Sequence, residues 1–168
     1  MKGQFTIDTY IILVLFVFFT TYLFFQVLGI SPTYLSEMRY QRLQSEVYQV
    51  SELLLNDPGE PIDWHTNPGA AKRIGLSDQT QNKTNLLSLE KVIALANLCT
   101  NYQDVANKLG ITDYQFIISV VNLTAVPAQL PVICAPSGIT VSKASVVSIT
   151  RTVALGQNSY GQLTLQMW

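Results

Sequence analysis

The sequence predicts an α+β protein with a long amino-terminal helix, a small helical segment and a carboxy-terminal antiparallel β-sheet. Three observations predict it. A stretch of 28 residues, Thr9 to Ser36, holds no charged side chain. An apolar period near 3.6 then runs as far as Leu55. The last third changes to alternating runs rich in β-branched and aromatic residues, and helices followed by strands define the class. The 168 residues include 10 Lys plus Arg and 11 Asp plus Glu, so 12% are charged. A soluble domain has roughly 25%, and the uncharged stretch explains most of the deficit. Net charge is -1 and the pI is near 5.7. Without a Lys/Arg cluster the chain lacks the footprint of a nucleic-acid partner or of a polybasic lipid-binding patch.

The amino-terminal element is read from Tyr10 to Ile30, YIILVLFVFFTTYLFFQVLGI, 21 residues long. At about 1.5 Å per residue it covers about 31 Å, the hydrocarbon thickness of a bilayer. Its strongly polar side chains are Thr20, Thr21 and Gln26. Threonine hydroxyls can bond back to the preceding turn, and Gln26 lies near enough to the end to reach interfacial water. A membrane span is therefore expected in place of a buried core helix. It does not read as a secretory signal peptide, because the apolar run exceeds the usual 7–15 residues or so and Gly29-Ile30-Ser31-Pro32 sets a proline where cleavage would fall. Asp8 stands just before the run. An ionisable group there is costly unless paired, and marks a functional position; the alternative is that it complements the positive end of the helix dipole.

The opening Met1-Lys2-Gly3-Gln4-Phe5-Thr6-Ile7-Asp8 resembles the class III signal peptide of archaeal type IV pilin-like proteins. That resemblance implies a prepilin peptidase cutting between Gly3 and Gln4, so that Gln4 becomes the first residue. It also implies that Asp8, where the family usually has Glu, pairs with a newly exposed amino group. The segments Gly59-Glu60-Pro61-Ile62-Asp63-Trp64 and Arg73-Ile74-Gly75-Leu76-Ser77 look like segments of the same proteins, as do Arg151 and the terminal Trp168. The implied organisation is a leader at 1–3, a transmembrane helix at 4–30, an amphipathic helix continuing from the membrane at 31–55, and an extracytoplasmic head at 56–168. The same apolar helix would serve first as anchor in membrane lipid and then as the packing stave of a filament.

Positive charges do not fix the orientation, since Lys2 on the short side faces Arg39 and Arg42 on the long side. An external head is favoured by Asn82-Lys83-Thr84 and Asn122-Leu123-Thr124, which match the glycosylation pattern. Cys99 and Cys134 would close a loop worth about 3–4 kcal/mol if bridged, in an oxidising compartment; a free buried pair is the other possibility.

Beyond the span, Ser31 and Pro32 read as a cap and first turn, or as a kink. Leu43, Val47, Val50 and Leu54 then form the apolar stripe of a helix that ends at Asn56-Asp57-Pro58-Gly59. A loop runs to Asn85, pinned by Trp64 and by Ile74 to Leu76. Ser88 caps a helix over Leu89 to Leu98; a second covers Tyr102 to Leu109 and stops at Gly110. Strands are expected over Tyr114 to Leu123, Ala144 to Leu155 and Tyr160 to Trp168. The last two are joined across Gly156-Gln157-Asn158-Ser159. Pro127, Pro131 and Pro136 make the intervening segment an extended connection or a short strand near Ile139 to Val141.

Chemistry is sparse. Asp57, Glu60, Asp63 and His65 cluster in sequence, without the spacing of a calcium loop and with one His where zinc needs more ligands. No Gly-x-Ser-x-Gly turn, phosphate loop or Cys-x-x-Cys pair occurs. Neither catalytic residues, nor a cofactor, nor a metal is expected. The expectation is a structural pilin-like subunit, with membrane lipid, a prepilin peptidase and other pilin-like subunits as partners. The alternative is a single-span, membrane-anchored extracytoplasmic binding module that does not polymerise. An ectoenzyme using the His65 loop stands third.

Overall fold

The computed structural model describes residues 2–79, 85–124, 132–138, 146–155 and 159–168, with the backbone alone at 2–6, 30–33 and 132. The chain divides into two compact units, Met1–Arg42 and Leu43–Trp168. Helix α1 (Lys2–Asn56) supplies the described part of the first and the beginning of the second. The break considered at Ser31-Pro32 does not occur, because the backbone stays helical through both residues. Proline removes one helical hydrogen bond. The good helix formers Leu35, Glu37, Met38 and Arg39 carry the helix on beyond it.

In the second unit α1 buries Leu43, Val47, Val50 and Leu54, as the spacing predicts, together with Ser51 and Leu55. The remaining elements are β1 (Leu86–Leu87), α2 (Leu89–Leu98), α3 (Tyr102–Leu109), β2 (Phe116–Asn122), β3 (Val132–Cys134), β4 (Val147–Leu155) and β5 (Tyr160–Met167). The strands form one sheet in the order β1-β4-β5-β2-β3. The architecture is thus α+β with a largely antiparallel sheet. One pairing departs from expectation, because β1 lies parallel to β4 through Leu86↔Ala154 and Leu87↔Leu155. Two residues are too few to show a period, so this strand left no signal.

The central strands show period-2 burial. Leu163, Leu165 and Met167 of β5 are fully buried, and Phe116, Ile118 and Val120 of β2 lie beside them on the same face. This inner face shares one apolar cluster with the α1 stripe, with Val92 and Leu95 of α2, and with Val105 and Leu109 of α3. Asn101 caps α3 by accepting from the Asp104 N–H at 3.4 Å, and Gly110 ends it at φ 74°, a conformation that suits glycine. Ser88 occupies the cap position of α2, but its side chain makes no capping bond.

The expected strand near Ile139 to Val141 lies outside the described residues, as do Ala144 and Gly156-Gln157-Asn158. The proline-rich segment instead supplies β3, a short edge strand with Pro136 soon after it, and prolines keep such strands short. Cys134 of β3 is disulfide-bonded to Cys99, Cα to Cα 5.3 Å, which fastens the sheet edge to the turn between α2 and α3. The two half-cystines stand 35 residues apart, and closing such a loop stabilises by about 3–4 kcal/mol in the chain-entropy account. Replacing both by alanine is expected to lower unfolding free energy by about that amount in denaturant titrations of detergent-solubilised protein.

Candidate functional site

The first unit is an apolar cylinder. From Ile7 to Leu28 its large hydrophobic side chains are 44% to 72% exposed, on every side of the helix. Among the described residues this is the one helix long and apolar enough to cross a membrane, with a best-window mean hydropathy of 2.5. Its polar side chains are satisfied internally. Thr20 Oγ1 donates to Phe16 O at 2.9 Å and Thr21 Oγ1 to Val17 O at 2.7 Å. Gln26, expected to reach outward, donates to the Tyr22 hydroxyl at 2.7 Å. Gly3 and Gln4 are helical in backbone. Asp8 is exposed and falls beyond the first helical turn, which holds no acid.

The second unit is closed around the end of α1. The Leu76 N–H donates to Leu54 O at 2.9 Å, and Asp57 N–H to Leu53 O at 3.0 Å, satisfying carbonyls that a helix end leaves open. Trp64 is fully buried and donates from Nε1 to Gly75 O at 2.9 Å, with Ile74 and Leu76 buried beside it. The loop is therefore pinned as the sequence predicts. Gly75 has to be glycine, because a Cβ there would overlap the Asp57 carbonyl.

Lys91 completes this closure. Only 5% exposed, it donates from Nζ to Pro58 O at 2.8 Å and to Ser77 O at 2.9 Å. Desolvation lowers its pKa, and the nearby carboxylates of Asp78 and Asp57 oppose that shift. Sequence reasoning missed this residue. The available signal was its place one turn before the buried Leu95, on the apolar face of α2. A second polar junction was also missed: Arg151 donates to Glu52 Oε1 at 2.7 Å and lies 5.0 Å from the Tyr48 ring centroid. Both partners are about one-third exposed, so the ion pair contributes under about 1 kcal/mol. Tyr102 stacks on Phe116 at 4.6 Å, and its hydroxyl accepts from the Phe116 N–H at 2.7 Å. Burial raises its pKa.

The Asp57–Glu60–Asp63–His65 group does not converge. Asp57 pairs with Arg73 at 2.9 Å, Glu60 with Lys72 at 3.7 Å, and His65 Nε2 meets Glu90 at 3.1 Å. Among the described residues no three His, Cys, Asp or Glu side chains gather as metal ligands. His65, Asp63, Asp78, Glu90 and Lys91 instead edge an open cleft of about 410 Å³. Of the two sequons, Asn82 lies outside the described residues. Asn122 ends β2, and its Oδ1 accepts from the amide and the hydroxyl of Thr124, both at 3.0 Å.

Fold and geometry together define a class: a disulfide-bonded α+β domain built on the end of a long apolar amino-terminal helix. No family model matches the chain, and no solved structure matches it. An uncharacterized protein of Archaeoglobus fulgidus is 31% identical over 129 aligned positions, covering 69% of this chain and 67% of that protein. The chain belongs to the family of that protein.

Replacing Lys91 by methionine keeps the apolar stem and strands two carbonyls in or near the core. The loss is expected to be about 2–4 kcal/mol, read as a lower denaturation midpoint with an unchanged m-value.

Proposed function

We propose that the chain is a type IV pilin-like subunit. In this reading it is inserted in a membrane by α1, cut between Gly3 and Gln4 by a prepilin peptidase, and assembled through α1 into a surface filament. The carrying observation is the first unit's surface. From Tyr10 to Leu28 no residue is charged and large apolar side chains lie exposed all around the helix, and such a surface is stable only in lipid or among other helices. A pilin-like life cycle supplies both surroundings in turn. The Cys99–Cys134 bond supports a head on the oxidising side of the membrane, and a relative in Archaeoglobus fulgidus agrees with the archaeal part of the reading.

Asp8 takes the role of pairing with a processed amino group, its own or a neighbour's. An unpaired carboxylate among apolar helices costs several kcal/mol, so such a pair would set the axial position of one subunit against the next. Aspartate reaches less far than the usual glutamate. That shorter reach favours, as the second reading, an anchored extracytoplasmic binding module that does not polymerise.

Intact-mass measurement on protein from membranes containing the matching peptidase tests the processing step. Loss of Met1 to Gly3, leaving Gln4 first, is the expected result, and a mature mass that retains them overturns the reading. Asp8→Asn is expected to be cut normally yet to be missing from filaments sheared off the cells. Filament yield equal to the parent's would remove the role given to Asp8, while processed wild-type protein confined to membranes would favour the second reading.

A further inference from the structure

Strand β2 ends in the second of the two sequons. Asn122, its last residue, lies in register with Gly161 of β5, and Leu123 and Thr124 follow it out of the strand. Asn122 is partly exposed and Thr124 exposed, and Leu123 and Tyr160 are exposed at 60% and 61%. Four hydrogen bonds tie this corner together. The Leu123 N–H donates to Tyr160 O at 2.9 Å, and the Tyr160 N–H donates to Thr124 Oγ1 at 3.1 Å. That hydroxyl and the Thr124 amide both donate to Asn122 Oδ1 at 3.0 Å.

Joining a saccharide to Nδ2 leaves the arrangement intact. A substituted carboxamide keeps its oxygen as an acceptor and keeps one N–H, so both bonds from Thr124 survive. The surroundings also suit a hydrophilic cover. Between Tyr114 and Trp168 only Lys143 and Arg151 are charged, whereas a solvent-facing surface ordinarily has about 25–35% charged residues. Two large apolar side chains, Leu123 and Tyr160, stand in solvent at the acceptor itself, and a glycan is bulky and solubilising.

Chain order decides when the acceptor is open. β2 has two neighbours in the sheet, β3 and β5, and both come later in the sequence. Tyr160 follows Thr124 by 36 residues. A chain delivered amino terminus first therefore presents Asn122-Leu123-Thr124 as unpaired backbone until those strands arrive. Once β5 has docked, the Thr124 hydroxyl and the Asn122 carboxamide are engaged with each other and with Tyr160. Reopening them means separating core strands, the most demanding opening in a domain.

We propose that Asn122 carries an N-linked saccharide and receives it before β3 and β5 pair with β2. The donor is a saccharide joined through its anomeric carbon to a lipid phosphate. Nδ2 forms a C–N bond to that carbon, the C–O bond to phosphate breaks with its electron pair staying on the phosphate oxygen, and one Nδ2 proton is released to solvent. The step needs the head outside the membrane. It needs neither cleavage after Gly3 nor assembly through α1, so it holds for both readings of the function.

The test uses the full chain made in an archaeal host that N-glycosylates its surface proteins, read by intact mass and peptide mapping. Wild type is expected to carry a saccharide increment on the peptide containing Asn122. Asn122→Asp keeps an acceptor for both Thr124 bonds but has no attachment nitrogen, and Thr124→Val breaks the sequon. Both are expected to lose the increment, while Thr124→Ser and Asn82→Gln keep it. Misfolding of a variant cannot produce the loss, because an unpaired chain is the better acceptor. An unmodified wild-type peptide, or an increment that persists in Asn122→Asp, overturns the assignment. Loss of Met1 to Gly3 is read from the other end of the chain, so failure here is distinct from failure of the processing step. For the timing, unmodified chain is offered to membranes holding the transferase and its lipid-linked donor. Transfer to the reduced, unfolded chain is expected to exceed transfer to the folded, oxidised chain by at least roughly tenfold; equal transfer overturns the order of events.

Discussion

The second unit depends on one apolar contact, in which the stripe Leu43, Val47, Val50 and Leu54 joins the inner rows of the sheet in a single buried cluster. A sheet with one apolar face has to cover it, and an amphipathic helix is the economical cover. The helix that does so here also carries the apolar run at its other end. The Glu52–Arg151 pair follows from the same contact. Arg151 occupies an inward position of β4, between Ile149 and Val153 in the alternation, and a charge there is tolerable because α1 brings a carboxylate and an aromatic face to meet it.

The loop after α1 can be understood as the consequence of ending that helix inside the packed unit. Carbonyls at the last turn need donors, and Asp57 and Leu76 supply them. Bringing residue 76 back to residue 54 forces Gly75 against the Asp57 backbone, and Trp64 is driven over the bend with its indole N–H on Gly75. The returned chain leaves the carbonyls of Pro58 and Ser77 facing inward. Lys91 answers both with one ammonium, at the cost of desolvation that its lowered pKa records. Three residues of different character thus serve one closure.

Much of this was legible in the sequence where a period was long enough to be read. The apolar run, the stripe of α1, both short helices and the alternation in β5 each extend over two or more turns or repeats, so burial imposes a pattern on the residues. What escaped is short or long-range. β1 has two residues and β3 three. A pairing as brief as Leu86↔Ala154 is decided by where β4 already lies. Lys91 looked like an ordinary exposed lysine because the two carbonyls it serves stand 33 and 14 residues away. The acids around His65, close in sequence, were drawn apart by the nearer claims of Arg73 and Lys72. Proximity along the chain says little about a site when two of its acids, Asp57 and Glu60, find basic partners of their own.

The distribution of charge gives the molecule its functional logic. Of the 21 charged residues, 17 lie between Glu37 and Asp113, where they serve the solvent-facing side of α1, the closing loop and the two short helices. On either side lie two nearly uncharged regions of different design. The amino-terminal one is apolar around the whole helix, which suits a surrounding of hydrocarbon or of other helices and no water at all. The carboxy-terminal one alternates, with Leu163, Leu165, Met167, Phe116 and Ile118 inward and Thr, Ser and Gln together with Ile117, Val121 and Ile133 outward. An element made for lipid alone would need only the first of these. Only the first excludes water: a continuous apolar helix surface is costly to hydrate, whereas hydroxyls and carboxamides on a sheet face exchange hydrogen bonds with water.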